Sequence, residues 1–417
     1  MSTAPNTAAA GQPTAVPIPT AAANTATAGQ PAAVPADVTL NAHVPPEHRR
    51  YLTPRRAVRS REVRNRAVGN RDVVNRSGLN RTAGLALAVV ALFAASVLLG
   101  SYTVTIPDFF KILAAHLTGG ERIPGASFIV MEHKLPRAVV GTLIGAAFGL
   151  SGALFQTMLR NPLASPDVIG ISYGASAGAV TAIVVFGASG AVVSGAAFAG
   201  ALGVAALIYA ISRSGSLGSG GRRGDAAGSR LILAGVGIAA ALHSVVSFLM
   251  TRADIRVAAD VLIWLNGSLN SATWDRAGVL GLTLIVLVPA VAVLAGPLRI
   301  LELGDDTAAG LGVRVGAARL AIVVTAVGLA ATATAAAGPV AFVAFLAGPI
   351  ARRFVRKASL PASALAGVLI VLSADYFAAH IAPLLLAGTV LPVGVITGAL
   401  GAPFLLWLLV TSNRKDA

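Results

Sequence analysis

From Ala138 to Leu159 the chain runs for about twenty residues without a charged side chain. At about 1.5 Å of rise per residue, a helix of that length crosses the roughly 30 Å of hydrocarbon in a bilayer. Gly141, Gly145 and Gly149 fall on every fourth residue of it, and Gly170, Gly174 and Gly178 repeat the spacing in the next apolar run. Such a stripe leaves one helix face smooth, so backbones pack closely where no hydrophobic effect operates between helices. Between the two runs lies a polar turn, Arg160-Asn-Pro-Leu-Ala-Ser-Pro-Asp167. Its two prolines stop one helix and pre-set the start of the next.

The rest of the chain is of the same kind. Of 417 residues, 55% are hydrophobic and 12% charged, with a mean hydropathy of +0.77. That composition belongs to an all-α polytopic membrane protein and not to a soluble domain. About ten spans are predicted, near 83–101, 138–159, 168–187, 190–212, 231–251, 277–297, 316–337, 340–354, 360–379 and 393–411. The eighth is short and is interrupted by Gly348-Pro349, so an incomplete crossing is expected there. Cysteine is absent, which excludes a disulfide framework and cysteine-based metal or redox chemistry.

Residues 1–40 are rich in Ala, Pro, Thr and Gly, with Asp37 the one charge, and have little to bury. No basic stretch precedes an apolar core there, so a secretory signal is not expected. Residues 47–81 carry eleven arginines. They read as a cytoplasmic tail that fixes orientation and touches anionic headgroups, with partner binding as the alternative. The expected organisation is a tail over 1–81, a transmembrane domain over 82–411 and a cytoplasmic end over 412–417. With both termini inside, 25 of the 32 basic residues fall in cytoplasmic pieces. Membrane topology thus accounts for the net charge of +15, and no nucleic-acid partner is expected.

An enzyme would need a constellation of nucleophile, base or metal ligands. His43, His48, His116, His133, His243 and His380 form no pair at metal-ligand spacing within a span, and no lysine follows a glycine as in a phosphate-binding loop. No catalytic residue, metal site or cofactor is expected on this chain. A proton-coupled carrier needs acidic groups at mid-membrane. Asp375 lies toward one end of a span, and Asp254 and Asp260 lie in an outer segment. His243, inside a span, reads as a packing residue or as pathway lining.

LPR, a glycine-rich apolar helix, then SGALFQTMLRNPLASPDVIGISYGASAGA resembles the FecCD-type permease subunits of bacterial iron–siderophore, haem and vitamin B12 ABC importers. The resemblance extends over residues 84–411. It implies a BtuC-like permease of the bacterial cytoplasmic membrane, working by ATP-driven alternating access. The implied partners are a second permease copy or a related permease chain, two ATPase subunits that hold ATP and magnesium, an extracytoplasmic binding protein, and membrane lipid. ATP hydrolysis then belongs to a partner. A proton-coupled secondary carrier and a non-transporting scaffold or sensor are the alternatives.

The segment from Leu301 to Arg314 reads from its residues as a polar, helix-compatible connector bounded by glycines. By resemblance, LGDDTAAGLGV is the coupling region that docks on the ATPase. Glu302, Asp305, Asp306 and Arg314 would make polar contacts, with Ala308, Ala309 and Leu311 as the packed face. Lys134 and Arg137 flank LP at the other side of the membrane, where such residues snorkel to the interface. By resemblance they would pair with carboxylates of the binding protein. ADYFAAH departs from the family pattern, because Ala379 stands where arginine is usual and His380 follows; that contact is lost or moved to His380. Val390 stands where an acidic residue often precedes LPVGV. Asn161, Leu163 and Ser229 match positions that close the path on the inner side, although Asn161 also reads as a helix cap. Gly348-Pro349 replaces the Pro-His of the family's PHIAR, and with SPDVIG it leans toward the ferric-enterobactin-type subgroup, whose permeases often work as unlike pairs.

Overall fold

The structure, a computed structural model, describes residues 78–100, 102–120, 123–167, 169–214, 225–386 and 388–413. Every regular element among them is helical. In chain order these are α1 (Gly78–Leu98), α2 (Ile106–Thr118), α3 (Ala126–Met158), α4 (Ile171–Phe186), α5 (Ala191–Ser214), α6 (Asp225–Arg252), α7 (Ile255–Leu265), α8 (Trp274–Leu301), α9 (Asp305–Gly310), α10 (Val315–Ala337), α11 (Val343–Val355), α12 (Leu360–Leu385) and α13 (Val393–Asn413). Among the described residues, α1, α3, α5, α6, α8, α10 and α12 are long and apolar enough to cross a membrane. The shorter α4, α11 and α13 occupy the remaining predicted spans.

Three boundaries differ from the sequence-based expectation. α1 begins at Gly78, inside the predicted tail, the rest of which lies outside the described residues. α3 begins at Ala126 and not near Ala138, so LPR lies within the helix. A π-turn at Ile129–Lys134 carries the exposed Glu132 and His133, and Pro136 follows two residues later, in the first turn of the regular α-helical stretch, where a missing N–H is tolerated. α11 runs unbroken through Gly348 and Pro349; the non-helical stretch lies upstream, where Phe342 takes a φ of 64°. The helices α2 and α7 were not expected, because a short amphipathic helix carries too little apolar length to register as a span.

α3 is the central post. In its spanning stretch 78% of residues are buried, against 11% in α1 and in α6, which turn their apolar side chains to the surroundings. It packs on α8, α10, α11 and, most extensively, α12. The glycine stripe explains that contact. A Cβ on Gly145 would stand 2.6 Å from the Cα of Val368, and one on Gly149 would strike the carbonyl of Ser363. Gly367 of α12 reciprocates against Gly145 and Gly149. The second stripe does the same between α4 and α5: Gly174 meets Gly200, and Gly178 meets Ala196. Gly170 differs from the others. It is the residue before α4, at a φ of 92°, and it faces the carbonyl of Gly235 on α6.

Candidate functional site

At its C-terminal end α3 stops in a Schellman-type cap. Arg160 takes a left-handed φ of 51°, its N–H donates to the Thr157 carbonyl at 3.2 Å, and the Asn161 N–H donates to the Gln156 carbonyl at 3.1 Å. The side chain of Asn161 accepts from the Leu163 N–H at 2.8 Å, which closes an Asx turn over Pro162. Asn161 therefore shapes the turn. Further on, Asp167 accepts a hydrogen bond from the Ser172 hydroxyl, while its Oδ2 is buried with no partner among the described residues. Burial pushes this carboxyl above the usual carboxylate range.

Beside that turn stands the loop from α8 to α10. Gly304 takes a φ of 105°, which a side chain would strain, and lets α9 fold back sharply. Asp305, the first residue of α9, pairs with Arg319 of α10 at 2.7 Å. Ala308 is fully buried, whereas Leu303 and Leu311 are 64% and 61% exposed. The Arg160 guanidinium lies next to Gly304. A cavity of about 510 Å³ opens between turn and loop, lined by Gln156, Thr157, Arg160, Asn161, Glu302 and Arg352 among others. Gln156, 2% exposed, accepts from Arg352 Nη2 at 2.9 Å and donates to the Phe345 carbonyl at 3.0 Å.

At the N-terminal end of α3, Arg137 makes a two-pronged ion pair with Asp375 of α12, both contacts at 2.8 Å, and donates to Asn270 Oδ1 at 2.9 Å. Lys134 donates to the carbonyls of Leu99 at 2.8 Å and Tyr102 at 2.5 Å. His380 stacks on Tyr376, with ring centroids 4.7 Å apart, and a Cβ on Gly100 would collide with its ring.

The elements that form both ends fall inside one match: residues 87–411 fit the FecCD transport family. The chain belongs to the FecCD transport family. It is 37% identical over 298 residues to the ferric enterobactin transport system permease protein FepG of Escherichia coli K12, covering 71% of this chain and 86% of that one. With the Fe(3+)-citrate import system permease protein YfmE of Bacillus subtilis 168 it shares 35% over 294 residues, covering 69% and 84%. A solved metal-chelate type ABC transporter in an inward-facing conformation has the same fold, with a TM-score of 0.65 at 24% identity, over 79% of this chain and 98% of that one.

In this FecCD chain most of the predicted polar residues lie at one of the two opposite ends of α3. Ala308 is buried within the chain, whereas Ala309 and Leu311 are exposed beside Glu302, Asp306 and Arg314. Asp305 is engaged by Arg319. Arg137 is held by Asp375, Lys134 by the carbonyls that follow α1, and His380 stacks on Tyr376. Without Arg137 the Asp375 carboxylate, 10% exposed, would be left as an uncompensated buried charge. Ser229 lies on α6, and its side chain is outside the described residues. Sequence reasoning missed Gln156, Asn270 and Arg319. Gln156 had a signal: Pro349 inside a helix leaves the carbonyl of Phe345 in need of a donor.

Proposed function

We propose that the chain is the membrane-spanning permease subunit of an ABC importer for iron(III)–siderophores or related iron chelates. The observation that carries this reading is its 37% identity with FepG across 86% of that permease. In the proposed topology both termini are cytoplasmic, and the α3 C-terminal end with α9 faces the cytoplasm. There α9 docks on an ATPase that binds ATP and magnesium. Its rigidity supports the role: Asp305 is tied to Arg319, Ala308 is buried, and Asp306, Ala309 and Leu311 are left to meet a partner. Nucleotide-driven closure of the ATPases would move α9 with α8 and α10 as a unit. The opposite end receives the loaded binding protein. There the Arg137–Asp375 pair and the Lys134 clasp set the shape of the docking face in place of free charges. Asn161, Leu163 and Ser229 belong to the turn region that closes the path on the inner side. A second permease, identical or related, completes the path.

Both oxygens of Asp375 are taken up by the Arg137 guanidinium at one end of α3, which disfavours the secondary-carrier alternative. The test is uptake of a ferric chelate into vesicles holding this chain, its companion permease and the ATPases, with binding protein supplied. Uptake should need ATP and persist with a protonophore. Uptake by the chain alone, without nucleotide, would overturn the reading. Leu311→Asp should abolish ATPase co-purification without lowering the melting temperature of the isolated permease.

A further inference from the structure

Helix α2 presents three faces. One is internal: Ile112 is 1% exposed, and Phe109 and Leu113 pack with it against Val97, Val104 and Val130. A second is apolar and uncovered: Ile106, Phe110 and Leu117 are 61%, 60% and 75% exposed, and Ala114 is exposed between them. At about 100° per residue these four lie within roughly 80° of arc. The third, next to it, carries the exposed Lys111 and Thr118. The helix is closed at both ends. Thr105 accepts from the Asp108 N–H at 3.3 Å and donates to its carboxylate at 2.6 Å, and Gly119 terminates it at a φ of 71°.

Its depth is set by its neighbours. α2 lies between the last residue of one span, Leu98, and the first of the next, Ala126. The Val104 N–H donates back to the Leu98 carbonyl at 2.8 Å. Two half-exposed amphipathic aromatics stand at these span ends: Tyr102 and Trp274 are 42% and 39% exposed, and Trp274 Nε1 donates to the Met131 carbonyl in the π-turn of α3 at 2.7 Å. Such rings collect at the headgroup layer. We propose that α2 is a lipid anchor lying in the plane of the extracytoplasmic leaflet. Ile106, Phe110, Ala114 and Leu117 rest on the acyl boundary, and Lys111 meets lipid phosphates. It holds the end of α1 clasped by Lys134, and with it the binding-protein face, at a fixed depth. The choice of leaflet and the link to the binding-protein face rest on the function proposed above; the anchor itself does not.

The chain has no cysteine, so F110C, L117C and K111C each accept a single nitroxide label before assembly with the partner subunits in phosphatidylglycerol–phosphatidylethanolamine nanodiscs. Labels at F110C and L117C should collide several-fold more with oxygen, relative to a water-soluble nickel chelate, than the label at K111C. That preference should persist when binding protein is added. Equal, water-like accessibility at all three positions overturns the anchor. So does a face that becomes shielded from both reagents only when binding protein is present, which would make it a protein-docking surface. In oriented vesicles, K111C should react with an impermeant maleimide from the extracytoplasmic side. Reaction only from the other side overturns the topology, a result distinct from failure of the anchor.

Discussion

Gln156 donates its side-chain N–H to the carbonyl of Phe345, and Phe345 is the residue whose helical partner would be the N–H that Pro349 lacks. A defect in α11 is thus repaired from α3, and the same amide accepts from Arg352 on the far side of Gly348. A Cβ on Gly348 would strike Gln156, so the glycine is what admits the amide. Gln156→Leu should lower stability by about 1–3 kcal/mol, the range for a buried polar group left unpaired. Pro349→Ala supplies the missing N–H and should restore part of that loss in the Gln156→Leu background. Thermal unfolding of the four proteins of this cycle reads the coupling, and strictly additive effects would show that the two sites are not linked.

Arg137 and Asp375 form the corresponding tie at the opposite end. Removing one partner of a buried pair destabilises by about 3–5 kcal/mol. Arg137 retains 27% side-chain exposure and Asp375 10%, so the loss for Arg137→Met should fall below that range. The double variant Arg137→Met with Asp375→Leu should recover most of it, because the uncompensated carboxylate is gone. Melting temperatures in detergent check this, and a double variant no better than the single one would contradict it.

The glycine stripe gives a contrast within one protein. Gly145→Ala forces a methyl against the backbone of Val368 and should destabilise by about 1–3 kcal/mol, as for an overpacked core. Gly281 on α8 has nothing within 4 Å of its would-be Cβ. Gly281→Ala should be neutral or stabilising, by up to about 1 kcal/mol of helix propensity. Equal effects at both positions would mean that close α3–α12 approach is not what the glycines provide.

Asp167 makes stability depend on pH. Burial raises its carboxyl above the ordinary value, so the native state keeps a proton over a range in which the unfolded chain has released it. The native state then binds more protons, and stability falls as pH rises through that range. Asp167→Asn preserves an acceptor for Ser172 and removes the charge. The melting temperature of the variant relative to the parent should climb as pH rises through and above the ordinary carboxylate range. A pH-independent difference would place the titration elsewhere.

Much of the molecule is legible in its residues. Uncharged runs such as Ala138–Leu159 can only be helices in a bilayer, and the four-residue spacing of Gly141, Gly145 and Gly149 announces a close helix contact. The polar loops, including Glu302 to Arg314, follow from the same pattern by exclusion from lipid. What the residues do not specify is which helix meets which stripe, or whether a charge at a helix end faces out or in. Arg137 and Asp375 are 238 positions apart, and their pairing exists only because α3 and α12 cross at that level. Hydrophobic length and periodicity are local properties, readable one segment at a time. The partner of a buried polar group is decided by the tertiary packing, because an unsatisfied charge or carbonyl in a low-dielectric interior is met by whichever side chain the fold brings within about 3 Å.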